Sequence, residues 1–165
     1  MTFATRADLL ARSNARRLAQ LAVPADKAMP PDDALRIAIA GGDISVYTAD
    51  EQDALSLALD AIDKALADAD ALLLSYGIPA TVQTTLLARL ASTVALYYLQ
   101  GAERMTDDVT KTYEGVIETL KSHSRGVINL IPVAPTDPVL SDDAVMLESS
   151  PRRYGSSSSS VVNDW

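Results

Sequence analysis

Residues 48–79 read TADEQDALSLALDAIDKALADADALLLSYGIP, and this segment carries the strongest helix signal in the chain. Thr48 and Glu51 form a capping box of the S/T-x-x-E type, which marks a helix start. Apolar residues then recur in alternating steps of four and three, the spacing of one stripe along a helix. We therefore predict a helix over residues 49–75. The stripe consists of Leu55, Leu59, Ile62, Leu66, Ala69 and Leu73.

The same helix is rich in aspartate. Its aspartates include Asp53, Asp60, Asp63, Asp68 and Asp70. A calcium loop places oxygen ligands at alternate positions of a tight turn, with glycine at the sixth position. This segment contains no such turn, so we predict a solvated acidic face and no metal site.

Helix signals also precede this segment. Thr5 and Asp8 resemble a capping box for a first short helix, and Ser13 is the predicted cap of a second. A third short helix is predicted over residues 34–40, capped by one of the two aspartates before it and ended by a pair of glycines. The N-terminal third of the chain should therefore be helical as well.

Two amphipathic helices are predicted after the central one. The first covers residues 82–100, and the second opens at Thr106, where Asp107 and Asp108 complement the positive end of the helix dipole. The apolar faces consist of Leu86, Leu87, Leu90, Val94, Tyr97 and Tyr98 in the first helix and of Val109, Tyr113, Ile117 and Leu120 in the second.

These signals predict an all-α fold, a small bundle of about four or five helices that occupies residues 1–131. Burying one leucine or isoleucine side chain is worth about 1.5 to 3 kcal/mol, so the apolar stripes can stabilise such a bundle. Residues 127–133 are β-branched and extended in character, and we consider them a candidate strand.

The composition changes from residue 132 onward. Residues 132–165 contain four prolines and eight serines and have no helical period. Such a segment cannot build a core of its own, yet it carries apolar residues, so we predict an extended arm that binds a partner protein. Its candidate contacts are Arg152, Arg153 and Tyr154, whose guanidinium groups would meet carboxylates while the ring fills a pocket, followed by Val161, Val162 and Trp165. The alternative for Arg152 to Tyr154 is a solvated turn after Pro151.

Composition and charge exclude several classes of function. The chain has no cysteine, which excludes a disulfide scaffold, a thiolate zinc site and a cysteine nucleophile. The formal net charge is -8, which argues against a protein that reads DNA sequence with clustered basic residues. Residues 26–70 hold the whole acidic excess, whereas the first seventeen residues are basic. We expect no membrane span, since no long apolar run exists.

The single histidine is the only side chain whose usual pKa lies near neutral pH. His123 lies between Ser122 and Ser124, but adjacent residues of a helix point about 100° apart and cannot form a catalytic triad. We predict that His123 is a cation at a helix C-terminus and that the protein is not an enzyme and needs no cofactor. A small hydrolase that uses His123 is the alternative.

Leu57 and Leu74 project away from the main apolar stripe of the central helix. We predict that these two leucines contact neighbouring copies of the chain. Burial of both inside a single subunit would contradict this assignment.

Several short patches resemble the Mu-like bacteriophage family of small neck proteins, and they occur in the same order as in that family. Each patch is weakly specific by itself, but together they span most of the chain. Residues 24–47 and the residues beyond Tyr154 depart from the family pattern. The patches are ATRADL (4–9), LAQL (18–21), ALDAID (58–63), LSYGIP (74–79), ALYYL (95–99) and SPRRY (150–154).

The resemblance implies a head-tail connector, or adaptor, of a tailed bacteriophage. Such helical subunits form a ring, usually of twelve copies, beneath the portal protein, and their C-terminal arms reach onto the portal. The expected partners are the portal, neighbouring copies and other neck or tail proteins, with DNA only as passing cargo. The expected location is the neck of the virion, after synthesis in the cytoplasm of the bacterial host. An overall acidic ring suits a channel for DNA, because like charge keeps phosphates from binding its wall.

Two further alternatives remain from the sequence. One is another neck component, such as a head stopper or a tail-completion protein. The other is a DNA-binding module associated with DNA packaging, which would use the basic N-terminal residues.

Overall fold

In a computed structural model that describes residues 2–101 and 105–132, all regular secondary structure is α-helical. The all-α prediction is confirmed, with six helices in the described residues where four or five were expected. The helices are α1 (Arg6–Arg12), α2 (Ala15–Ala22), α3 (Asp32–Ile39), α4 (Ala49–Ser75), α5 (Thr85–Gln100) and α6 (Asp107–Ser124).

The α4–α5 hairpin organises the core. The two helices are joined by residues 76–84 and make the most extensive contact between any two helices of the described part. Helices α1, α2 and α3 cover one side of the core, and α6 packs on α5. The predicted stripe of α4 faces the core, with Leu59 half-buried at its edge. Its fully or almost fully buried members are Leu55, Ile62, Leu66, Ala69 and Leu73.

Side chains cap the starts of four of the six described helices, α1, α2, α4 and α5. The capping box at α4 has the predicted geometry: the Thr48 backbone N–H donates to Glu51 Oε2 at 2.9 Å, and the Glu51 backbone N–H donates to Thr48 Oγ1. The hydrogen bond from the Thr48 backbone lowers the pKa of Glu51. The capping box of Thr5 and Asp8 is also present.

Three predicted caps or starts were wrong. The cap of α2 is Asn14, which accepts the Arg17 backbone N–H at 2.7 Å, whereas Ser13 ends α1. Helix α3 starts at Asp32 after Pro31, so its aspartates lie in the first turn and make no side-chain cap. Helix α5 starts three residues later than predicted, because Thr84 caps it instead. At α2 two adjacent polar residues, Ser13 and Asn14, can each cap the helix, and the sequence pattern does not decide between them.

The predicted strand is absent from residues 127–132, the described part of that segment. Instead, the backbone N–H groups of Val127 and Ile128 both donate to the Ser122 carbonyl and close the end of α6. Gly126 makes this turn with a φ of 74°, a left-handed conformation that glycine adopts without strain. Unpaired carbonyls at a helix end thus take the N–H groups that a strand would have used.

Burial differs from the prediction at several positions. Asp70 was assigned to the solvated acidic face, but it is only 9% exposed and accepts the Phe3 backbone N–H at 2.9 Å. In α6, Val116 is buried, whereas Val109, Tyr113 and Ile117 are half-buried. The apolar side of α6 is therefore rotated relative to the prediction. Leu86 and Tyr98, predicted near the core face of α5, are exposed.

Candidate assembly surfaces

The side of α4 that points away from the core is acidic and contains an exposed leucine. Leu57 is 39% exposed, and Asp53 and Asp60 lie one turn before and one turn after it on the same side. Lys64 and Asp68 continue this side toward the C-terminus. We call the surface formed by these five residues the outer face of α4.

Two ion pairs anchor neighbouring elements at the edges of this helix. The Lys27 ammonium lies 3.0 Å from Asp53 Oδ2. Arg6 makes a two-pronged hydrogen bond to Asp63, with Arg6 Nε donating to Oδ1 at 2.7 Å. That hydrogen bond lowers the pKa of Asp63. Within the described residues no cation lies within 4 Å of Asp60 or Asp68, so these two carboxylates face solvent unpaired.

Leu74 lies far from Leu57 on the same helix. It is 47% exposed. The seventeen residues between the two positions correspond to about 25 Å along the axis and a rotation of about 100°. The exposure of both leucines is compatible with subunit contacts, which stay predictions, but the two side chains cannot belong to one small patch.

A groove of about 490 Å³ lies where the α1–α2 turn meets the end of α5 and the start of α6. The α5 residues that line it, Thr93, Leu96, Tyr97 and Gln100, share one face of that helix. By a rotation of 100° per residue, this face lies about 135° from the one that carries the buried Leu87, Ala91 and Val94. The groove and the outer face of α4 share no residue and are two distinct surfaces of the subunit.

The groove has a mostly polar lining that includes a few apolar side chains and two arginines. The apolar lining residues include the half-buried Leu21, Leu96 and Val109. Arg12 and Arg17 line the groove, are exposed and have no acidic partner within 4 Å in the described residues. Asp108 is the acidic residue among those that line it. No sequence pattern predicted this groove. The excess of arginine near the N-terminus was nevertheless a signal for Arg12 and Arg17 in its lining.

Three tyrosines form a cluster where α5 meets α6. The Tyr97 and Tyr113 rings stack with centroids 3.9 Å apart, and Tyr98 meets Tyr97 edge-on at 5.9 Å. Partial burial of Tyr98, which is 37% exposed, followed by a hydrogen bond with Tyr113, raises its pKa to about 12. The stacked Tyr97 and Tyr113 rings tie α6 to α5.

The remaining candidate sites are His123 and the C-terminal arm. His123 lies in the last turn of α6, as predicted, and the Leu130 backbone N–H donates to its Nδ1 at 3.4 Å. The Ser124 hydroxyl donates to the Lys121 carbonyl at 2.9 Å. The predicted arm lies outside the described residues apart from Pro132. This applies to all six candidate arm contacts, namely Arg152, Arg153, Tyr154, Val161, Val162 and Trp165.

The described residues contain no candidate metal site and no helix that could span a membrane. No group of three or more metal-binding side chains forms there. Across residues 2–101 and 105–132, every helix is too short or too polar to span a membrane.

The sequence matches a known protein family. The family described as bacteriophage Mu Gp36 matches residues 3–149, which include all six helices described above. The chain belongs to the bacteriophage Mu Gp36 family. It is therefore a bacteriophage protein, and the resemblance stated from the sequence is confirmed. No curated protein matches the chain.

The extent of the match separates the candidate contacts into two groups. Leu57, Leu74 and the groove lie within the residues that the Gp36 family match covers. The match ends at residue 149, before Arg152 and the other arm contacts.

Proposed function

We propose that the protein is a head-tail connector, or adaptor, subunit of a tailed bacteriophage, and that it forms a ring beneath the portal. Membership of the Gp36 family supports a role in the phage particle. The proposed role is structural and involves no catalysis. The location that follows is the neck of the virion.

One structural observation carries this proposal. The subunit has two unlike surfaces, the acidic outer face of α4 and the basic groove, which share no residue. A two-fold dimer uses one self-complementary patch, whereas a ring uses two different patches that meet head to tail. Two unlike surfaces on one subunit therefore favour a ring.

The overall charge supports the proposed channel. The chain carries a net charge of -8, so copies in a ring would surround the channel with negative potential. Passing DNA would be repelled rather than retained. The proposed partner of the C-terminal arm is the portal, through Arg152, Arg153, Tyr154 and the apolar residues that follow.

The direct test is the native mass of the full chain, alone and mixed with the portal protein of the same phage. A closed ring that appears on mixing supports the proposal. A chain that stays monomeric and does not bind the portal contradicts it. A complex with another neck protein in place of the portal would favour a head stopper or a tail-completion protein.

A second candidate function is a DNA-binding module of the packaging apparatus. It is favoured by Arg12 and Arg17, which are exposed and have no acidic partner within 4 Å among the described residues, with Arg16 exposed beside them. Affinity for double-stranded DNA that falls steeply with salt would support it. Indifference to DNA would support the connector.

A further inference from the structure

We propose that the outer face of α4 in one copy docks on the groove of the next copy, with the Leu57 side chain inserted over Leu21, Leu96 and Val109. This inference rests on the proposed ring and assigns the residues that close it. The occupant of the groove is therefore a second copy of this chain.

The apolar parts of the two surfaces match. Leu57 is a single exposed leucine surrounded by charged residues, and the groove presents three apolar side chains, Leu21, Leu96 and Val109, within a polar lining that includes two arginines. A central apolar anchor in a pocket, ringed by polar contacts that exclude water, is the arrangement typical of stable interfaces. The volume of about 490 Å³ accommodates Leu57 together with the ends of the charged side chains beside it.

The charges match as well. Asp53 and Asp60 lie on either side of Leu57, about 6 Å and 4.5 Å away along the helix axis. Arg12 and Arg17 line the groove without an acidic partner in the described residues. In the described residues Asp60 and Asp68 likewise have no cation within 4 Å, whereas Asp53 is already paired with Lys27. The charges available for docking are therefore those of Asp60 and Asp68 on one surface and of Arg12 and Arg17 on the other. Paired charges around an apolar anchor steer two surfaces together and fix their orientation.

Each surface also carries one residue of the opposite charge, and these two residues are complementary. Lys64 is the one cation of the outer face of α4, and Asp108 is the one anion among the residues that line the groove. Asp108 and the apolar lining residues would not contribute to DNA binding, because phosphates require only positive charge. This favours a protein surface of mixed charge as the occupant.

The experiment reverses the charges on each surface of the full-length chain. Arg12→Glu with Arg17→Glu alters the groove, and Asp60→Arg with Asp68→Arg alters the outer face of α4. A third variant combines all four changes. Ring formation with the portal protein is followed by native mass spectrometry over a range of protein concentrations, and circular dichroism checks that each variant is folded.

Matched controls carry the same change in charge elsewhere. Arg36→Glu with Lys121→Glu is the control for the groove variant, and Asp26→Arg with Glu114→Arg is the control for the α4 variant. All four control residues are exposed and lie outside both proposed surfaces. The controls should assemble like the unaltered chain.

Each reversal alone should raise the concentration needed for half-maximal ring formation at least tenfold. The combined variant should restore it to within about threefold, because the reversed charges again attract. An equimolar mixture of the two single-surface variants should also assemble, as a ring in which the two alternate. Reversals without effect, or a loss that the combined variant does not restore, would overturn the inference.

Three outcomes distinguish the inference from the proposed function. If reversal of Asp142 and Asp143 restores the groove variant while reversal of Asp60 and Asp68 does not, the acidic arm occupies the groove and the inference is wrong. If the unaltered chain forms no ring with the portal, both the inference and the proposed function fall. If it forms a ring that ignores all the reversals, only the inference falls.

Discussion

The core-facing side of α4 carries alanine, leucine, isoleucine and one buried aspartate, whereas its outer side carries aspartate, lysine, serine, alanine and two exposed leucines. Leucine and aspartate occur on both sides, so residue type alone does not define a role. What differs is the environment. Leu73 is fully buried and its neighbour Leu74 is 47% exposed, although they are consecutive residues of one helix. One side of α4 therefore stabilises the subunit, and the other side is available for assembly.

The largest expected effect separates these two neighbours. Leu73→Ala should lower the free energy of unfolding by about 2 to 5 kcal/mol, because it removes a buried side chain and leaves a cavity. Leu74→Ala should change it by less than about 0.5 kcal/mol, because the side chain already contacts water. Urea denaturation followed by circular dichroism measures both. Equal losses in the two variants would mean that the two sides of α4 are not distinct.

A smaller effect is expected at the start of α4. Thr48→Ala removes the acceptor for the Glu51 backbone N–H and should cost about 1 kcal/mol of stability. Ser56→Ala, on the outer side of the same helix, is the control and should cost nothing, because alanine has the higher helix propensity. Thermal unfolding of both variants tests this. A Thr48→Ala protein as stable as the unaltered chain would show that packing alone fixes the start of the helix.

Two aspartates of α4 should respond to pH in opposite directions. Burial raises the pKa of Asp70 above its usual 3.8, and the hydrogen bond from Arg6 lowers the pKa of Asp63 below 3.8. Asp70 therefore destabilises the fold progressively as the pH rises from 3.8 through its raised pKa. Asp63 stabilises the fold above pH 3.8, and this stability is lost as the pH falls through its lowered pKa.

The measurement is the free energy of unfolding between pH 3 and pH 7 for Asp70→Asn and Asp63→Asn. Relative to the unaltered chain, Asp70→Asn should gain stability as the pH rises, since the amide cannot ionise. Asp63→Asn should lose at most about 1 kcal/mol near neutral pH, because the ion pair is partly exposed, and this loss should vanish at low pH. Parallel pH profiles for the two variants would contradict the assignment of their environments.

Much of the fold was predictable because its signals are local. The capping box at Thr48 and the stripe from Leu55 to Leu73 both lie within one helix, so the sequence pattern alone specifies α4. The end of α6 was less predictable. The β-branched Val127 and Ile128 favour a strand locally, but their backbone N–H groups are taken by the Ser122 carbonyl. Competition between a helix end and a strand depends on the chain around them.

The candidate site was less predictable, because it depends on contacts between distant residues. The exposure of Leu57 followed from the helical period, whereas the groove brings together residues of α1, α2, α5 and α6. The burial of Asp70 was not predictable from the helical period. Asp70 lies at the edge of the apolar stripe, one turn before Leu73, and its burial depends on the Phe3 backbone 67 residues away. A single helical wheel cannot represent a partner at that distance.

The outer side of α4 has the smallest expected effect on stability and the largest on assembly, and an engineered disulfide tests it most directly. The full chain has no cysteine, so Leu57→Cys with Leu96→Cys introduces the only two thiols. If Leu57 of one copy enters the groove of the next, oxidation in the presence of the portal should link copies into a ladder of covalent oligomers that reduction reverses. Leu74→Cys with Leu96→Cys is the matched control and should remain monomeric on a denaturing gel. Monomers from both variants, or equal ladders from both, would contradict the account.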